Sequence, residues 1–287
     1  MKKLTAFSFL ALSASIFLTG CETIKWDTVK SKIPFLQTEK VEDNQGNKAT
    51  EITENDKNAT DDTQQDNTEE EYPWTLASEF FNDIKEVDGR NIIQNPTNTV
   101  SLVNKEFGLP DGYVPDDLIR PNVSFSFGDQ DIEKSYLREE AGKALEEMFN
   151  AAQKDGVYLY AVSGYRSFTR QQDVFAAEIN RVGEEKALEA VAYPGNSEHQ
   201  TGLAMDISSE SVGFLLEEGF TDTKEGKWLA NNAHQYGFIL RYPKGKEAIT
   251  GYKFEPWHFR FVGKKSAKDI YENDWTLEEY FNKVRKI

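Results

Sequence analysis

Cysteine is nearly absent: the 287 residues contain one, Cys21. That excludes an intrachain disulfide and any cluster held by several thiolates. Basic residues are the minority, 33 Lys and Arg against 49 Asp and Glu, for a formal net charge of −16. A nucleic-acid partner usually leaves a basic footprint, so the balance argues against one. The same charge repels anionic lipid, so any membrane contact has to come from an anchor rather than from surface electrostatics. A long apolar run is also missing, since the one at residues 6–18 is too short to span a bilayer. No repeat of fixed period occurs, which leaves solenoids and propellers without support.

What is present begins at the N-terminus. Lys2 and Lys3 precede the short apolar run, and Leu18-Thr19-Gly20-Cys21 follows it, the layout of a secretory signal. The last four residues resemble the lipobox of bacterial lipoproteins, where the cysteine becomes the lipidated N-terminus. The resemblance implies a signal peptide at residues 1–20, lipidation of Cys21, and a chain anchored by lipid on the extracellular face of a bacterial membrane. Residues 40–72 are polar and acidic, filled out with Asn, Thr and Gln. Such a stretch cannot bury enough apolar surface to offset its ordering entropy, so residues 21–72 are expected to form a disordered tether. The folded domain is expected at residues 73–287.

Within it, Tyr136, Leu137, Ala141, Ala144, Leu145, Met148 and Phe149 recur at helical spacing and predict a helix over residues 132–154, stopped by Gly156. Residues 157–162 read as a strand. Residues 167–182 read as a helix with Ser167 as N-cap and Gly183 at its end. Alternation predicts a strand over 203–208, a further helix fits 227–236, and strands fit 238–242 and 257–262. Thr276 with Glu279 fits a capping box opening a final helix. This mixture, with hairpin returns rather than regular βαβ units, predicts an α+β fold: a small, mostly antiparallel sheet with flanking helices.

Three segments carry candidate chemistry. In Ser197-Glu198-His199-Gln200-Thr201-Gly202-Leu203-Ala204-Met205-Asp206 the alternation puts Asp206 opposite the apolar Leu203, Met205 and Ile207. A carboxylate in a half-buried strand needs a cation or hydrogen-bond donors. His199 lies where a loop containing Gly202 can fold it back toward Asp206. In Glu255-Pro256-Trp257-His258, Pro256 keeps Glu255 at the mouth of the strand that carries His258. Two imidazoles and a carboxylate make a three-ligand zinc site open to water, and a further carboxylate beside it suits proton transfer. In Ser163-Gly164-Tyr165-Arg166-Ser167, Arg166 can clamp a carboxylate with two parallel bonds, and Gln171 lies about a helical turn along.

Taken together and in this order, these motifs resemble the D-alanyl-D-alanine carboxypeptidases of the LAS zinc peptidase group, in the style of VanY and of the L,D-carboxypeptidase LdcB. The resemblance runs from about residue 92 to residue 262. It implies a LAS-type fold with one Zn2+ held by His199, Asp206 and His258, and Glu255 as catalytic base. It also implies Arg166, helped by Gln171 and Ser197, for the terminal carboxylate of a peptidoglycan stem peptide. Trp257 is expected to line the substrate pocket. Glu198 reads as solvated, Arg241 and Arg260 as partners in strand-face salt bridges, and His234 as a packing residue. A non-catalytic zinc-stabilised wall-binding lipoprotein stays open as an alternative. So do an endopeptidase and a D-Ala-D-Ala dipeptidase, and D,D- and L,D-specificity are not separable at this level.

Overall fold

Leu203, Met205 and Ile207 sit in the main apolar core, while Ala204, Asp206 and Ser208 face the other way, as strand alternation requires. The computed structural model describes residues 74–287. The expected signal peptide, Cys21 and the acidic tether lie outside the described residues. Four strands make the central sheet: β1 (Tyr160–Ser163), β2 (Ala204–Ser208), β3 (Phe238–Leu240) and β4 (His258–Phe261). They run antiparallel in the order β1-β2-β4-β3.

The apolar face of this sheet is covered by α1 (Glu139–Lys154), whose Ala141, Leu145, Met148 and Ala152 meet Met205, Ile207, Phe259 and Phe261 in one cluster. Burying a side chain such as Leu145 or Met148 contributes about 1.5–3 kcal/mol. The other face of the sheet holds the candidate site. α2 (Phe168–Val182) starts where predicted: the Ser167 hydroxyl accepts a hydrogen bond from the Arg170 amide, and Gly183 ends the helix. After α3 (Lys224–Asn232) and α4 (Lys264–Glu272), α5 (Leu277–Lys283) opens with the expected Thr276–Glu279 capping box. A second cluster, including Leu76, Val100, Ile239, Val262, Leu277 and Tyr280, packs α4 and α5 against the sheet edge.

The helix expected over residues 132–154 is shorter. Residues Glu133–Ser135 form a 3₁₀ turn, and Leu137–Arg138 pairs with Leu118–Ile119 before α1 begins. The N-terminal part also contains a three-stranded sheet, Ile84–Val87, Arg90–Ile93 and Phe107–Gly108, that the periodicity does not reveal. Its hairpin turns at Asp88 and Gly89, both at positive φ, so an Asp-Gly signal was present in the sequence.

Candidate active site

The sheet register brings two of the candidate ligands together. Asp206 on β2 and His258 on β4 are direct cross-strand partners, and His258 Nδ1 lies 3.0 Å from Asp206 Oδ1. The third arrives from a 3₁₀ turn, Glu198–Thr201, which Gly202 closes in the left-handed conformation (φ 67°) before the chain enters β2. A β-carbon at Gly202 would press on Arg138 and Leu118, so both conformation and space call for glycine. The turn sets His199 Nε2 3.5 Å from Asp206 Oδ2. His199, Asp206 and His258 are all buried, and one donor atom from each lies within 4.8 Å of the others.

The donor set fits a zinc-sized cation. His199 Nδ1 donates to the Gly164 carbonyl at 2.8 Å, which leaves Nε2 with its lone pair turned toward Asp206. Gly164 itself has no room for a side chain, because a β-carbon there would overlap the Tyr136 carbonyl oxygen. Burial, with Arg166 nearby, pushes His199 down to about 3, so it is neutral and ready to ligate at physiological pH. Burial opposes the charged form of His258 too, but hydrogen bonds to Asp206 and Glu198 outweigh it and push this imidazole up to about 9. Asp206 is held below its ordinary range because the two imidazoles and Arg166 outweigh the effect of burial.

One prediction follows from His258. Below about pH 9 it carries a proton on the nitrogen that has to ligate, so metal binding must displace that proton. Zinc affinity of the metal-stripped protein is therefore expected to rise by up to roughly tenfold per pH unit toward pH 9 and to flatten above it. Competition with a chromophoric chelator measures this, and an affinity indifferent to pH between neutrality and 9 would contradict it.

Glu255 stands outside the three candidate ligands at the mouth of β4, its Oε2 4.0 Å from His258 Nδ1. A tight turn fixes it: the Glu255 amide donates to Tyr242 O, and Glu255 O accepts from the His258 amide. Burial pushes its carboxyl up to about 7, with Asp206 adding to the rise and His258 and Arg166 opposing it. A cation between the ligands adds positive charge beside Glu255 and draws this value back down.

Arg166 follows β1, where a bulge between Ala161 and Ser163 re-aims the chain. Its amide donates to the His199 carbonyl, which ties it to the ligand turn. The guanidinium donates to Gln171 Oε1 at 2.9 Å and to Ser163 Oγ at 3.4 Å. Among the described residues it forms no ion pair, and burial lowers its pKa. A half-buried guanidinium without a counter-ion is suited to an incoming carboxylate.

Gln171 and Trp257, both expected at the substrate, each have a defined place in the packing. Gln171 is fully buried, and its amide is used at both ends, donating to Ala192 O at 2.7 Å while accepting from Arg166. It braces Arg166. Trp257 lies in the turn just before β4, half-buried and packed against the main apolar cluster. Ser197 is buried immediately before the ligand turn, and no hydrogen bond of its hydroxyl occurs among the described residues.

Glu198 is not solvated. It is 2% exposed, and its Oε1 accepts from Arg241 Nε at 2.7 Å and Arg260 Nη1 at 2.8 Å. Its Oε2 faces His258 Nε2 at 3.3 Å. Burial alone would raise its pKa, but Arg241, Arg260 and His258 hold it far below the carboxylate range. Arg241 and Arg260 are the salt-bridge partners expected of them, and both are fully buried. Tyr242, unmarked in the sequence, lies against the His258 ring at 4.9 Å between centroids. His234 keeps the expected packing role, stacked on Tyr271.

The family model described as VanY, D-alanyl-D-alanine carboxypeptidase, matches residues 134–264. YodJ of Bacillus subtilis (strain 168), provisionally named a carboxypeptidase, is 57% identical over 240 residues, 84% of this chain and 87% of that protein. A D-alanyl-D-alanine carboxypeptidase of Enterococcus faecalis is 42% identical over 147 residues, 48% of this chain and 53% of its own length. Among solved structures, that of the LD-carboxypeptidase LdcB, described for its recognition of peptidoglycan, is 60% identical. It aligns with a TM-score of 0.73 over 75% of this chain and 100% of its own. The D,D-pentapeptidase VanY in complex with Zn(II) is 33% identical, with a TM-score of 0.53 over 64% of this chain and 99% of its own.

Proposed function

The chain belongs to the VanY-type carboxypeptidase family of zinc enzymes, and from that premise we propose that it removes the C-terminal D-alanine from peptidoglycan stem peptides. In this reading His199, Asp206 and His258 hold the zinc, Glu255 moves the proton, and Arg166 takes the terminal carboxylate. The observation that carries it is the convergence of a His-Asp-His donor set, a carboxylate 4.0 Å from one ligand nitrogen, and an arginine without a counter-ion.

Zinc at the three ligands supplies Lewis acidity, polarising the scissile carbonyl and acidifying the attacking water. The remaining work belongs to the chain's own side chains. Arg166, braced by Gln171, fixes the peptide by its free end, so only the last bond reaches Glu255 and the ligands. Glu255 in its ionised form takes a proton from water at its Oε atoms and returns it to the departing amine of D-alanine. The dependence on a free carboxylate favours an exopeptidase over an enzyme that cuts cross-links. A purely wall-binding protein gains nothing from Glu255.

The larger likeness to LdcB, 60% against 33% for VanY, supports an L-configured residue before the D-alanine. Tetrapeptide stems are then the better substrates. We further propose that Cys21 anchors the protein by lipid to the outer face of the membrane, with residues 21–72 as a spacer. Among the described residues no helix is long and apolar enough to cross a membrane. Cys21→Ala is expected to release the protein from the membrane fraction or to leave its precursor unprocessed; unchanged, processed retention would contradict the anchor.

The metal assignment has its own test. Purified protein is expected to contain about one zinc per chain, to lose activity on chelation and to regain it with added zinc. Activity indifferent to chelation would overturn the assignment.

A further inference from the structure

Glu198 is the most heavily partnered acid next to the ligands, and the direct action of the catalytic groups does not use it. Its Oε1 is saturated by Arg241 and Arg260. The other Arg241 nitrogens donate to Glu278 at 2.9 and 2.7 Å, and the remaining Arg260 donors go to the carbonyls of Phe261, Thr99 and Ser101. Two guanidiniums thus meet two carboxylates, and the cluster is neutral without any help from His258. Yet Glu198 Oε2 is left over and points at His258 Nε2. A buried imidazole that ligates through Nδ1 must carry its proton on Nε2, and that N–H needs an acceptor.

We propose that Glu198 is a positioning residue for the metal: it fixes His258 as the Nε2–H tautomer, with Nδ1 turned to the zinc, and the Arg241–Arg260–Glu278 cluster holds it to that task. The inference rests on the zinc reading above. The two histidine ligands then use opposite nitrogens, because His199 gives its Nδ1–H to Gly164 O and presents Nε2. Room for the cluster comes from the sheet register, since Arg260 lies directly opposite the small Ala204. Glu278 sits on α5, beyond the matched residues 134–264, so the C-terminal helix contributes to how tightly the metal is held.

The wild-type protein provides the first test, because the chain has only three histidines and its imidazole ¹⁵N spectrum is simple. In the zinc-loaded protein His258 is expected to be protonated on Nε2 and His199 on Nδ1. The second test is Glu198→Gln, which keeps the shape but turns an N–H toward either the arginines or His258. Zinc affinity, read by chelator competition, is expected to fall by about 10–100-fold. A residue that only stabilised the core would lower the melting temperature of the folded variant and leave zinc affinity alone. Should Glu198→Gln not fold, Glu278→Gln, which strips Arg241 of its outer partner, is expected to weaken zinc binding in the same direction. His258 protonated on Nδ1, or wild-type zinc affinity in the folded Glu198 variant (in Glu278→Gln if the former does not fold), would overturn the proposal. A wild-type protein that binds no zinc would instead overturn the reading on which it rests.

Discussion

Replacing Glu255 with Gln is expected to lower kcat by about 10²–10⁴-fold while leaving one zinc bound. The substitution keeps the size of the side chain and removes only its ability to take a proton. Glu255 is separate from the three-residue donor set, so metal content should not change. Its environment suits a base: burial pushes the carboxyl up to about 7, and a cation nearby lowers it again, so it is ionised at neutral pH yet still basic. The sign of the pH dependence follows. Below its pKa the carboxyl is protonated and cannot accept, so kcat/KM of the wild type should fall as pH drops from 7 toward 4.5. With zinc kept saturating across that range, the limb should be missing from the residual activity of the variant. Near-normal turnover by a zinc-loaded Glu255→Gln protein would remove Glu255 from the mechanism.

Arg166→Ala is expected to cost about 2–4 kcal/mol in kcat/KM, the range for truncating one partner of a buried charge pair. A zinc site has no preference of its own for chain ends, so end-recognition needs a group that reads a free carboxylate. Gln171 and Ser163 already hold the guanidinium in one orientation. A lysine ammonium cannot reproduce the planar fork or use that brace, so Arg166→Lys should be damaging as well. Because the contact holds the scissile bond in place, kcat should fall along with the rise in KM. A C-terminally amidated peptide should be a poor substrate for the wild type, and Arg166→Ala should narrow the gap between amide and acid. Equal cleavage of amide and acid by the wild type would contradict the clamp and revive the endopeptidase.

The candidate ligands were legible because short-range pattern brings them together. Alternation set Asp206 apart from Met205 and Ile207, Pro256 kept Glu255 off the ladder, and Gly202 gave the turn that returns His199 to β2. Glu198 was misread. An acid beside a histidine, in a chain of net charge −16, looks like surface. Its burial depends on Arg241, Arg260 and Glu278, which are 43 or more positions away and which local pattern cannot connect to it. One signal was available: Arg260 lies between Phe259 and Phe261 in a buried strand, and a buried guanidinium requires a carboxylate somewhere. Gln171 shows the opposite limit, where spacing found a neighbour of Arg166 but could not connect it to the Ala192 carbonyl that it also bonds.

The most direct test of the central claim is mass spectrometry of products from purified tetrapeptide and pentapeptide muropeptides incubated with the zinc-loaded protein. The expected result is free alanine together with a muropeptide shortened by one C-terminal residue, faster from the tetrapeptide, and abolished by chelation. Release of no alanine from either substrate by protein carrying its zinc, or cutting of a cross-linked dimer without release of alanine, would contradict the carboxypeptidase reading.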